Sequence, residues 1–131
     1  DASVACKWFI SEEPLKDEAL DILDQIKIHP DLFGVPDLFY CEMLHVLGQV
    51  FNTTETKQHI VDLCDLGMGL LSSESKLLRT AADLVHGNRL SGYDAIYAAN
   101  AQLCHGVWIT ADAQAHKKIA KLEISSLLGS D

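Results

Sequence analysis

Leu90–Asp112, LSGYDAIYAANAQLCHGVWITAD, is the stretch whose reading decides the fold. Ser91 is a good helix N-cap, and Asp94, three residues later, completes the spacing of a capping box. Apolar residues then recur at Ile96, Tyr97, Ala99 and Leu103, close to a helical period. Gly106 breaks the pattern, and Val107–Thr110 is a short β-branched and aromatic run that reads as a buried strand. Asp112 follows at the carboxyl end of that strand, the rim where open α/β sheets bind ligands. Helix, glycine break, strand and acid thus place two carboxylates at the ends of one unit.

Working outward, Ser11–Pro14 forms a turn into a helix over Leu15–Lys27, with Leu15, Ala19, Ile22, Leu23 and Ile26 on its apolar stripe. His29-Pro30-Asp31 breaks it. Leu32–Val35 is a candidate strand, and Pro36 suits the first turn of a helix over Asp37–Phe51 with Leu38, Cys41, Leu44, Leu47 and Phe51 as its buried stripe and Glu42 beside it. Asn52 and Glu55 have capping-box spacing for a helix from Glu55 to about Leu71, with a break or short strand possible around Met68–Leu71. A helix from Ser72 and Ser73 to Gly87-Asn88 leads back to the opening unit, after which Ala113–Leu122 is a short basic helix and Glu123–Leu128 a last strand. Alternation of short strands and helices predicts an α/β fold: a three-layer sandwich with a central parallel sheet of about four to five short strands flanked by helices.

The chain has 131 residues, 48% of them hydrophobic, which suits one domain over 1–131 with a real core. The start, DASVACKWFI, is apolar-rich and alternating, and an α/β domain normally has a strand before such a point; the expectation is a first strand truncated before Asp1. No apolar run approaches the roughly 18 residues of a membrane span and no leader pattern is present, so the sequence reads as cytoplasmic. Cys6, Cys41, Cys64 and Cys104 are widely spaced and fall largely in apolar helical patterns, which predicts buried free thiols. The six histidines have no compact ligand spacing, which argues against zinc. Nineteen acids against ten bases give a net charge of −9, which excludes nonspecific adhesion to nucleic acid by the whole surface but not a nucleic-acid substrate at a local site.

Four stretches, DASVACKWF, VPDLFYCEMLHVL, LSGYDAIYAANA and WITAD, carry in this order a resemblance to the PIN-domain family, and within it to the VapC-type toxin ribonucleases of toxin–antitoxin pairs. The resemblance extends over essentially the whole chain. It implies an acidic quartet at Asp1, Glu42, Asp94 and Asp112, catalytic and metal-holding, with Ser3 and Thr110 at supporting hydroxyl positions. It implies one or two Mg²⁺ or Mn²⁺ ions, endoribonucleolytic hydrolysis of RNA, a homodimer, and a cognate antitoxin covering the acidic pocket. A non-catalytic PIN-like interaction module is the alternative from another class, and a structure-specific DNA nuclease of the flap-endonuclease type a third, for which the chain lacks room for a helical arch.

Carboxylates suit this chemistry because Mg²⁺ and Mn²⁺ are hard cations that prefer oxygen ligands. Several acids in one pocket repel one another and are hard to explain as a stabilising feature. Each also has a plainer reading: Asp94 as the third-position acid of a cap, Asp112 as the N-cap of the last helix, Glu42 as a solvated helix-edge acid. The set, rather than any member, points to a site. Lys7, Arg89, Lys117 and Lys118, with Lys121, are the cations expected to meet RNA phosphates, and Trp8, Tyr93 and Trp108 are candidate stacking surfaces, with burial the expectation for Trp108.

Overall fold

The opening unit folds as its local chemistry dictates in a computed structural model that describes residues 1–130. Ser91 Oγ accepts the Asp94 N–H at 3.0 Å and starts a helix over Gly92–Leu103, followed by a strand over Trp108–Thr110 and a helix over Ala113–Ile119. In chain order the described helices are α1 (Ala2–Ala5), α2 (Lys16–Ile28), α3 (Asp37–Val50), α4 (Thr53–Cys64), α5 (Ser75–Asn88), α6 (Gly92–Leu103) and α7 (Ala113–Ile119). The strands are β1 (Gly34–Pro36), β2 (Gly69–Leu71), β3 (Trp108–Thr110) and β4 (Ser125–Leu127). This is the expected α/β class, helices flanking short parallel strands.

The strands form two parallel pairs, β1 with β2 and β3 with β4, rather than one continuous sheet. Trp108 N–H donates to Ile124 O and Leu128 N–H to Thr110 O, both at 2.8 Å, so the backbone groups of Ile109 turn to the other edge. There the Ile109 carbonyl accepts the Asp1 nitrogen at 2.9 Å. A cleft of about 500 Å³ lies between the pairs, bounded by Val35 and Pro36 on one side and by Trp108, Ile109 and Asp1 on the other. The alternating segment after Asp1 coils instead of extending, because Asp1 Oδ1 caps α1 by accepting the Ser3 N–H at 3.0 Å.

α6 packs on both β1 and β3 and lies along α5. Its buried face is built of Ala95, Ala98, Ala99 and Ala101, small side chains that let the helix axes approach. Phe39, Met43 and Leu47 of α3 and Leu63 of α4 fill the centre, and burying each contributes roughly 1.5–3 kcal/mol. On α3 the expected stripe holds at Leu47, with Leu38 and Phe51 partly buried against the core, but fails at Cys41 and Leu44. Cys41 and Leu44 are exposed while the fourfold-spaced row Phe39–Met43–Leu47 is buried, leaving Glu42 half-buried at the edge. That helix is apolar on nearly every side, so periodicity alone does not choose the face, and the larger Phe and Met side chains fill the space. The cysteines are free as expected but not buried: Cys41, Cys64 and Cys104 are exposed, and Cys6 is half-buried.

The predicted α4 ends earlier, at Cys64, and Gly69–Leu71 is a strand; the Asn52–Glu55 capping box is complete. Among the described residues no helix is long and apolar enough to cross a membrane.

Candidate active site

Thr110, the last residue of β3, is fully buried, and its position fixes what surrounds the strand's carboxyl end. Its Oγ1 accepts the Asp112 N–H at 3.1 Å and lies 3.3 Å from Ser3 Oγ. Ser3 Oγ in turn donates to Asp1 Oδ1 at 2.5 Å and accepts the Ala111 N–H at 2.8 Å. One serine thus ties the first residue of the chain to the turn that carries Asp112. Asp112 itself caps α7, its Oδ1 accepting the Ala115 N–H at 3.0 Å, and its side chain stands at the exposed rim.

The second oxygen of Asp1, Oδ2, accepts the indole N–H of Trp108 at 2.8 Å. Trp108 stacks on Tyr97 of α6, with ring centroids 5.9 Å apart and planes within 9° of parallel. Tyr97 donates its hydroxyl to Glu42 Oε1 at 2.6 Å. Burial, this bond and the charges of Glu42 and Asp94 push the Tyr97 hydroxyl far above the ordinary tyrosine range, so it stays a donor at every physiological pH.

Asp94 occupies the first turn of α6, three residues before Tyr97. Its carboxyl is raised above the usual aspartate range, chiefly by burial and next by the Asp112 charge; the Ser91 hydroxyl and Lys118 pull it the other way. The reciprocal half of the expected capping box, from the Asp94 side chain back to the start of the helix, is not formed, so the cap uses the backbone of Asp94 and not its carboxylate.

Hydrogen bonds link Asp1 through Ser3 and Thr110 to the Asp112 turn, and Glu42 through Tyr97 and its stacked neighbour Trp108 back to Asp1, while Asp94 is joined to them only by the effect of the Asp112 charge on its carboxyl. The fold does not gather three of the acids into a tight cluster among the described residues. Asp1, Glu42 and Asp112 each rest on donors of their own. The donor set, carboxylates and hydroxyls with no thiolate or imidazole, has the chemistry of a hard divalent cation.

Of the expected substrate-binding cations, Lys7 is corrected. It is buried, and its Nζ is paired with Glu13 at 3.4 Å, so its charge is spent inside the fold. Lys16 Nζ covers the Lys7 carbonyl from outside at 2.8 Å. Arg89, Lys117 and Lys118 are exposed, and Lys118 Nζ donates to the Arg89 carbonyl at 3.0 Å, holding α7 to the end of α5 on the Asp94 side. Trp108 is buried as expected, Trp8 donates its indole N–H to Ala19 O, and Tyr93 is the exposed ring. Tyr97 is the residue that sequence reading misses; its place three residues after Asp94 was read only as part of an apolar stripe.

No curated protein matches the chain in sequence. A family comparison does: the PIN domain pattern matches residues 1–122, nearly the full length, and such domains are typically metal-dependent nucleases. The chain belongs to the PIN domain family.

Proposed function

We propose that the chain is a metal-dependent endoribonuclease, the toxin of a toxin–antitoxin pair, with Asp1, Glu42, Asp94 and Asp112 as its acidic site. The observation that carries the reading is the rim at the carboxyl end of β3: Ser3 Oγ bonds Asp1 Oδ1 and the Ala111 N–H, Thr110 Oγ1 takes the Asp112 N–H, and the Asp112 charge in turn raises the Asp94 carboxyl, so acids from three separate parts of the chain lie near one another. Acids brought near one another repel, and a divalent cation relieves that repulsion.

Asp1, Glu42, Asp94 and Asp112 are the residues that would hold Mg²⁺ or Mn²⁺. The ion, when bound, lowers the pKa of coordinated water and polarises a phosphodiester oxygen. The chain supplies the rest. Ser3 and Thr110 fix Asp1 and the Asp112 turn against one another. Arg89, Lys117 and Lys118 offer an exposed cationic margin to the phosphates of an otherwise acidic protein, and Tyr93 offers a free ring for a base. Hydrolysis transfers water across the P–O bond, its oxygen going to phosphorus and a proton to the leaving oxygen, so no side-chain nucleophile is required.

A homodimer is supported by apolar side chains left open on α3 and α4: Leu44 at 56%, Val50 at 53% and Val61 at 49% exposure. An antitoxin segment with basic side chains complements the net charge of −9. Asp94→Asn and Asp112→Asn, purified beside the parent, are tested with Mn²⁺ against matched RNA and DNA. Loss of RNA cleavage in both variants is expected. Equal cleavage by all three proteins refutes the site, and cleavage of DNA alone refutes the substrate.

A further inference from the structure

Two buried aromatic residues spend their polar hydrogens on the acids of the site. Tyr97 and Trp108 are 7% and 4% exposed, and a buried phenol or indole needs a hydrogen-bond partner. A carbonyl of the surrounding backbone serves most such groups; Trp8 uses that of Ala19. Here the indole N–H of Trp108 goes to Asp1 Oδ2, 107 positions away in sequence, and the hydroxyl of Tyr97 goes to Glu42 Oε1, 55 positions away. The two rings are stacked nearly parallel, so neither donor moves without the other ring.

We propose that Tyr97 and Trp108 act as one positioning unit, a stacked aromatic pair that sets the separation and orientation of Glu42 and Asp1 and thereby the cation affinity of the site. The proposal rests on the metal-dependent reading above. Two carboxylates drawn toward one pocket repel each other, and without fixed donors they turn to separate partners or to solvent. The Tyr97 hydroxyl engages only Oε1 of Glu42, leaving Oε2 for a ligand. Asp1 is held from both sides, by Ser3 on Oδ1 and by Trp108 on Oδ2, which fixes the plane of the carboxylate. Tyr97 also lies three residues beyond Asp94 on α6, so the same ring borders a third acid of the quartet. Groups that hydrogen-bond metal-ligating carboxylates in this way change metal affinity by roughly 10–100-fold when removed.

The test uses Tyr97→Phe, which removes one oxygen and keeps the ring stack, Trp108→Phe, which keeps an aromatic ring and removes the N–H, and the double variant. Mn²⁺ binding is measured by titration calorimetry, and unfolding is followed separately without metal. Each single variant is expected to bind Mn²⁺ about 10–100-fold more weakly, with kcat for RNA falling and KM unchanged. The double variant is expected to lose less than the product of the two, because one unit has been disabled twice. Should Trp108→Phe fail to fold, Tyr97→Phe alone decides. A variant that melts lower yet binds Mn²⁺ like the parent shows the pair to be mere packing and overturns the inference, leaving the nuclease reading intact. A parent that binds no Mn²⁺ overturns the metal reading and the inference together.

Discussion

Ser3→Ala is the most informative single change, because one oxygen serves three partners. Ser3 Oγ donates to Asp1 Oδ1, accepts the Ala111 N–H and faces Thr110 Oγ1. Removing it deletes a hydrogen bond to a charged group, worth about 1.5–3 kcal/mol, and strands a backbone donor, at about 1–3 kcal/mol. The site is half-buried, so water recovers part of both, and a net loss of about 2 kcal/mol is expected. With an unfolding entropy of roughly 2.1 cal/mol/K per residue over 131 residues, that is a fall in Tm of ~7 °C. Thermal unfolding followed by circular dichroism measures it. Thr110→Val and the double variant close a thermodynamic cycle, and a coupling of about 0.5 kcal/mol or more is expected between the two hydroxyls. A fall in Tm under ~2 °C, or additive effects, would show that Ser3 does not bind the two halves of the site together.

Asp94 makes stability depend on pH in a direction opposite to that of a salt-bridged acid. Its carboxyl is raised, so the folded state holds a proton more tightly than the unfolded chain. Stability without metal therefore declines as pH rises from the ordinary aspartate range, about pH 4, through the raised value. Asp94→Asn should remove that decline, and Asp112→Asn only part of it, since burial is the larger cause; an unchanged slope in Asp94→Asn refutes the assignment. Thiol labelling of the native protein should modify Cys41, Cys64 and Cys104 quickly and Cys6 only on unfolding. Burial and Glu13 push the Cys6 thiol up, and its Sγ lies 3.5 Å from the Ser3 carbonyl; four fast thiols would contradict this.

What the sequence makes legible is local. Ser91 and Asn52 start their helices as their side chains require, and the run at Trp108–Thr110 is a strand because β-branched and aromatic residues fit a pleated, covered surface. The phase of α3 was not legible, because an apolar residue stands at almost every position from Leu38 to Leu47 and only the packing of α1, β1 and α4 against it selects the Phe39 row. Nor was the division of the strands into two pairs. It depends on pairings between backbone segments far apart in the chain, which no local pattern encodes. The four acids stand as a set by resemblance, and the aromatic residues bonded to two of them were not legible at all. Periodicity marks Tyr97 and Trp108 as core, which they are, and says nothing of where a phenol or an indole sends its hydrogen.

The acids of the site do not share its burdens equally. Asp112 spends Oδ1 on the Ala115 N–H at the start of α7, and Asp1 spends both oxygens on Ser3 and Trp108. Removing either side chain therefore costs structure as well as chemistry; the cap alone is worth about 1 kcal/mol. Asp94 differs: the helix cap at Ser91 engages its backbone N–H, which any residue but proline supplies, and its carboxylate meets burial and the Asp112 charge, which outweigh the relief from the Ser91 hydroxyl and Lys118. A near-terminal acid on a helix gains about 0.3–1 kcal/mol from the dipole, which offsets that cost without exceeding it by much. Asp94→Asn is thus the change in which loss of cation binding and loss of fold separate most cleanly. The backbone of Asp94, rather than its carboxylate, starts the helix, so the asparagine variant reads the carboxylate's part in cation binding with the cap still in place.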